Sequence, residues 1–296
     1  MAISAKLVKE LRDKTGAGLM DCKKALVENN GDVEQAIDWL REKGISKAEK
    51  KASRIAAEGV AEVKVDGNKA IIFELNCETD FVAKNDKFKN LVSKIGAALI
   101  NAEKETEEEV LKVEIDGKPL KDVLLSETAT IGEKITLRRY ELVTKEDNQV
   151  FGSYIHFGGS IATLVVLEGA DEETARNIAM HVAASNPKYV SRDEISDEFI
   201  KHETEVLKAQ ALNENAESDK PKPENIIEKM VIGRLNKNFQ EICLMSQPYV
   251  KNPDETVKSY LKSQGASVAS FRRLAVGEGI EKKEENFAEE VMSQSR

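Results

Sequence analysis

The 296-residue chain is 41% apolar and 33% charged, enough apolar content for two or three small cores and too much charge for a membrane protein. Its longest apolar stretches, such as IATLVVL at 161–167, fall far short of the ~20 residues that span a bilayer, and its amino terminus has no signal-like apolar core, so the cytoplasm is the expected location. A net charge of -9 argues against general nucleic-acid binding, and three widely spaced cysteines, Cys22, Cys77 and Cys243, argue against a disulfide framework or a zinc site; they read as small buried hydrophobes, and no cofactor or metal is expected.

Residues 4–44 carry three short helical segments. Leu7, Val8 and Leu11 repeat at helical spacing, LMDCKKALVENN follows, and Asp32 is placed to cap VEQAIDWLREKG, with Gly44 as the expected stop. The turn TGAGLM sets two glycines ahead of Leu19 and Met20; no P-loop pattern is present, and the two apolar side chains are either core or contact surface. The basic stretch KAEKKASR at 47–54 could grip RNA but reads better as a solvated linker, which closes a module over 1–54.

From residue 59 the apolar period changes to two. GVAEVKV places Ala61, Val63 and Val65 on one face, DGN makes a turn, and AIIFELN answers with Ile71, Phe73 and Leu75. The strand is expected to break after Asn76, leaving Asp80 and Phe81 of CETDFVAKND at a loop tip. A phenylalanine there either folds back on its own core, the commoner fate of such a ring, or enters another molecule. The helix DKFKNLVSKIGAALI follows, with Phe88, Leu91, Val92, Ile95 and Leu99 along one side, then the acidic run KETEEEV at 104–110 as solvated surface, and a strand at 134–143.

The order then repeats. VFGSYIH, the turn FGG, the strand SIATLVVLEG and the helix DEETARNIAMHVAAS form a second hairpin-plus-helix unit, whose strand-to-helix connection is the short EGAD. The expected half-domains are 55–145, and 146–190 together with 241–276. Between the pieces of the second, 191–240 reads as two long helices turning at SDKPKP, a protruding antiparallel hairpin; 277–296 is expected to hold a C-terminal amphipathic helix after GEGIEK. His181 in AMHVAA reads as a satisfied histidine on a helix, and no nucleophile signature pairs a histidine with Cys77, which argues against a thiol enzyme.

Four stretches, LVKELRDKTGAGLMDCKKAL at 7–26, NCETDFVAKND at 76–86, MHVAAS at 180–185 and GEGIEK at 277–282, resemble bacterial elongation factor Ts in order and setting across nearly the whole chain. The resemblance implies an α+β fold with an N-terminal UBA-like three-helix module, a core of two related half-domains with antiparallel sheets, the helical hairpin and a C-terminal helix. It implies a guanine-nucleotide exchange factor, not an enzyme, that promotes GDP release from elongation factor Tu. The expected partner is that GTPase in its GDP-bound and nucleotide-free states, in a complex that could be of higher order, with no direct nucleic acid and no membrane. Carried over residue by residue, it makes Asp80 and Phe81, with Thr79 and Val82, the loop that enters the partner beside its magnesium site. Arg12, Leu19 and Met20 fall in the docking stretch, and His156 is a contact of the second half-domain. A plain GTPase-binding adaptor is the alternative.

Overall fold

The structure, a computed structural model, describes residues 3–218 and 220–281; of the C-terminal module expected over 277–296, the helix expected after GEGIEK lies outside the described residues. Among these, the chain divides into two compact units, one of residues 3–143, 157–161 and 274–281, the other of 144–156, 162–218 and 220–273.

The first unit begins with α1 (Ala5–Thr15), α2 (Leu19–Glu28) and α3 (Val33–Lys51). Ser4 caps α1 by accepting the Leu7 N–H at 3.2 Å, and Asp32 caps α3 through the Gln35 N–H at 3.0 Å. Val8, Leu11, Cys22, Ala25, Leu26 and Ala36 form this module's core. One expectation fails here: Gly44 does not stop α3, which runs on through the basic stretch to Lys51. The glycine instead permits close packing, because a Cβ at residue 44 would lie 2.9 Å from the Cβ of Ala129. The segment read as a solvated linker is therefore, up to Lys51, the last turns of a packed helix, and the Lys51 ammonium donates to the Gly132 carbonyl.

Strands β1 (Glu58–Asp66) and β2 (Lys69–Cys77) pair antiparallel from Glu58 opposite Cys77 to Asp66 opposite Lys69. They turn at Gly67, whose φ of 55° suits glycine. After a short helix α4 (Asp80–Lys84) comes α5 (Asp86–Ala102), whose Phe88, Leu91, Val92, Ile95 and Leu99 pack on Ile71, Phe73 and Leu75. Helix α6 (Glu107–Val110), the hairpin β3 (Glu114–Ile115) and β4 (Lys118–Pro119), and α7 (Leu120–Ile131) lead to β5 (Thr136–Thr144), which lies beside β2 in the sheet order β1-β2-β5. Both sides of β2 are covered, since every residue from Ala70 to Cys77 is buried. The buried face of β1 ends at Val63; Val65, next to the turn of the hairpin, is exposed.

The second unit repeats the plan. Strands β6 (Gln149–His156) and β7 (Ile161–Glu168) lead into α8 (Glu172–Ser185). Helices α9 (Asp197–Ala216) and α10 (Glu224–Ile242) follow, joined by the proline-containing turn, and bury Leu207, Ala211, Ile227, Val231, Leu235 and Phe239 in a core of their own. The small hairpin β8 (Pro248–Tyr249) and β9 (Asn252–Thr256) and helix α11 (Val257–Ser263) then lead to β10 (Ser267–Ala275), giving the order β10-β7-β6. In both halves the third strand joins the helix-proximal strand of the hairpin, so the repeat read in the sequence is also a repeat of topology. No described helix is long and apolar enough to cross a membrane.

Candidate functional site

The stretch TDFVAKND folds as two successive caps. Thr79 is extended (φ -125°, ψ 154°), and its hydroxyl accepts the Val82 N–H at 3.4 Å to start α4. Asn85 ends that turn and starts α5, its side-chain oxygen accepting the Lys87 N–H at 2.8 Å. Asp80 and Phe81 are thus not on a loop tip, as expected from the sequence. They occupy the first turn of a five-residue helix, and β2 continues to Cys77, one residue past the expected break. The cause is the pair of capping side chains: Thr79 satisfies an end donor of α4, a helix too short to show a period, and Asn85 ends α4 while satisfying an end donor of α5.

This turn has an inside and an outside. Ala83 is buried and Val82 packs against the core of the first unit, whereas the Phe81 ring is 83% exposed. The ring does not fold back onto its own core. Asp80 faces solvent with it and accepts from the Lys84 ammonium at 2.6 Å. That hydrogen bond, reinforced by the charge of Lys84, holds the Asp80 carboxyl below the usual aspartate range. The carboxylate therefore stays ionised at neutral pH.

Behind the turn lies a carboxylate that the sequence reading missed. Glu133 accepts the N–H groups of Glu78 and Thr79 at 3.1 and 2.9 Å on one oxygen and the Thr79 hydroxyl at 2.7 Å on the other. In return, the Glu78 carboxylate accepts the Lys134 N–H at 2.7 Å and pairs with Arg54 at 3.2 Å. A second missed carboxylate is Glu74, fully buried on β2. It takes Arg138, Arg139, the Asn76 amide and, at 2.8 Å, the Gly277 N–H. Burial by itself would raise its pKa, but the Gly277 N–H, the Asn76 amide and Arg139 outweigh burial and leave the group below the usual glutamate range. This clasp accounts for the first glycine of GEGIEK. Gly277 has φ 73°, and a Cβ there would lie 2.2 Å from the Ala57 carbonyl oxygen. An acid inside the apolar run AIIFELN was the available signal for Glu74; Glu133 carried none, because its partners are 54 and 55 residues away.

The remaining candidates lie elsewhere. Leu19 and Met20, 51% and 71% exposed, form the first positions of α2 and belong to the surface, and Arg12 is exposed on α1. Gly16, in the turn that leads to them, approaches Thr130 of α7 closely: a Cβ would lie 3.2 Å from its methyl group. His156, at the end of β6 in the second unit, is partly buried, with its Nδ1 3.3 Å from the Tyr154 hydroxyl. The next residue, Phe157, was read only as part of a turn; its φ is 43° and its ring 85% exposed. His181 is satisfied on both sides, its Nδ1 accepting the Val250 N–H at 3.2 Å and its Nε2 lying 2.9 Å from the Gln247 side-chain oxygen. Cys77 is no nucleophile: burial, then the carboxylates of Glu133 and Glu58, push its thiol up to about 12. Among the described residues, no group of three or more His, Cys, Asp or Glu could hold a metal ion.

In comparison with known families, the model described as Elongation factor TS matches residues 78–278, more than half of the chain. The match begins one residue before the Thr79 cap and ends just past Gly277; the three N-terminal helices precede it.

Proposed function

This chain belongs to the elongation factor Ts family, non-catalytic factors of translation elongation that promote nucleotide exchange on elongation factor Tu, and from that premise we propose that it releases GDP by inserting the Phe81 turn beside the partner's magnesium site. The observation that carries this reading is a ring 83% exposed on a turn that is capped at both ends. Moving such a ring from water into a partner's pocket is favourable. Arg12, Leu19 and Met20 dock the N-terminal module, Thr79, Asp80, Phe81 and Val82 form the wedge, and His156 supplies a contact from the second half. The factor works in the cytoplasm on GDP-bound and nucleotide-free elongation factor Tu, with no direct contact to nucleic acid or membrane.

Exchange requires no covalent step. The factor must bind the nucleotide-free GTPase more tightly than the GDP-bound form, and linkage then weakens nucleotide by the same factor. Burial of one Phe side chain is worth roughly 1.5–3 kcal/mol, and each ~1.4 kcal/mol is tenfold. Phe81 can thus supply one or two powers of ten, with wider contacts holding it in place.

Reciprocity is the test. Titration of the factor against elongation factor Tu at rising GDP and magnesium should show progressively weaker binding, and catalytic amounts should speed release of a fluorescent GDP analogue. Binding independent of both ligands, with no acceleration, would leave only the adaptor reading.

A further inference from the structure

The β1–β2 ladder ends at the Glu58–Cys77 pair. The N–H groups of Glu78 and Thr79 therefore lie beyond the pairing of that ladder, and so does the hydroxyl that caps α4. All three converge on the single carboxylate of Glu133, at 3.1, 2.9 and 2.7 Å. Gly132, with φ 89°, ends α7 and turns the chain so that Glu133 precedes β5 beside this point. The return bond from the Lys134 N–H to Glu78 makes the clasp reciprocal, and Arg54 closes it on a third side by pairing with Glu78 and accepting the Lys134 ammonium on its carbonyl at 3.0 Å. Arg54 lies three residues past the end of α3. The exit of the N-terminal module, the base of the Phe81 turn and the start of β5 thus meet in one hydrogen-bonded knot.

We propose that Glu133 is a positioning residue for nucleotide exchange, fixing the backbone at 78–79 so that α4 presents Phe81 in one orientation. The proposal rests on the wedge reading above. A ring on a loosely held turn would lose conformational freedom on entering a partner, and that loss would subtract from its contribution; a turn already fixed at its base enters without it. Bonds to an ionised acceptor are the stronger kind, which suits a carboxylate to the task. Glu133 acts through Thr79 and α4 and needs no contact with the GTPase.

The experiment is a double-mutant cycle on the full chain with elongation factor Tu, reading the maximal rate of fluorescent-GDP release at saturating factor, the factor concentration for half-maximal release, and the melt of each variant. Glu133→Ala is expected to lower the maximal rate about tenfold, with the half-maximal concentration less affected. On a Phe81→Ala background it should add less than about twofold, because its route to the partner is already gone. Glu133→Met, which keeps the length of the side chain, removes both acceptor oxygens and leaves the Thr79 cap of α4 in place, should slow release in the same non-additive way, and decides the matter if Glu133→Ala does not fold. Effects of Glu133→Ala and Phe81→Ala that multiply, or a normal maximal rate in folded Glu133→Met, would overturn the proposal. A slow Phe81→Ala with a normal Glu133→Ala would sink the positioning role alone. An unimpaired Phe81→Ala would sink the wedge reading, and the positioning role with it.

Discussion

The two halves of the core solve the same problem differently. Each has a hairpin, a helix that covers it and a third strand beside the second, in the orders β1-β2-β5 and β10-β7-β6. In the second half the strand reaches its helix by Gly169 and Ala170, and Asp171 caps α8 directly by accepting the Thr174 N–H at 2.7 Å. In the first half the same step takes Glu78 to Asn85, with an extra turn of helix, two caps and a carboxylate clasp. Since the short connection suffices to join strand to helix in the same plan, the long one is more than that plan requires, although its Val82 and Ala83 pack on the core. What it adds is an exposed aromatic ring held on a fixed base.

The largest expected effect comes from erasing that difference. Replacing residues 79–85 with the Gly-Ala connection of the second half, leaving Asp86 to cap α5, should return GDP release to the rate without factor while far-ultraviolet circular dichroism still reports a folded chain. Retained exchange would mean that the extra turn is not the active element.

Next in size is a contrast between two phenylalanines seven residues apart in the sequence. Phe88 is fully buried on α5, and Phe88→Ala should cost ~3–5 kcal/mol in urea unfolding. Phe81→Ala should stay within ~0.5 kcal/mol of the parent, as an exposed site does. Comparable losses at both positions would show that the Phe81 ring is part of the core in solution.

The smallest effect sharpens the comparison from the second half, whose buried polar group serves structure. Burial lowers the pKa of His181 below its ordinary 6.5, partly offset by its hydrogen bond to Gln247. The unfolded chain therefore takes up this proton first as pH falls, and stability should decline with acidification below about pH 6.5, levelling once the folded pKa is passed. Above that range both states are neutral and the contribution is constant. His181→Gln should flatten the slope of melting temperature against pH between 5.5 and 6.5; an unchanged slope would assign it to other groups.

Much of this was legible in sequence because it is periodic. The stripe from Phe88 to Leu99 and the paired runs around Asp66–Lys69 state their partners through spacing alone, and α9 and α10 announce themselves by length and by the proline turn. What was hidden is short or distant. A five-residue helix shows no period, so α4 could be found only through Thr79 and Asn85 as caps. Gly44 looks like a stop until Ala129 is known to lie against it. Glu133 and Glu74 owe their meaning to partners far along the chain, at 78–79 and at 138, 139 and 277. The candidate site was therefore visible as a motif, while the machinery that holds it was not.

The Phe81 ring is thus expected to act on a partner and not on its own fold. A stopped-flow trace of fluorescent-GDP release from elongation factor Tu, with Phe81→Ala at saturating concentration and a thermal melt of the same preparation, tests it most directly. The expected result is an unchanged melt with release slowed by about ten- to a hundredfold. A melting temperature lowered by many degrees with the release rate per folded molecule unchanged would contradict it.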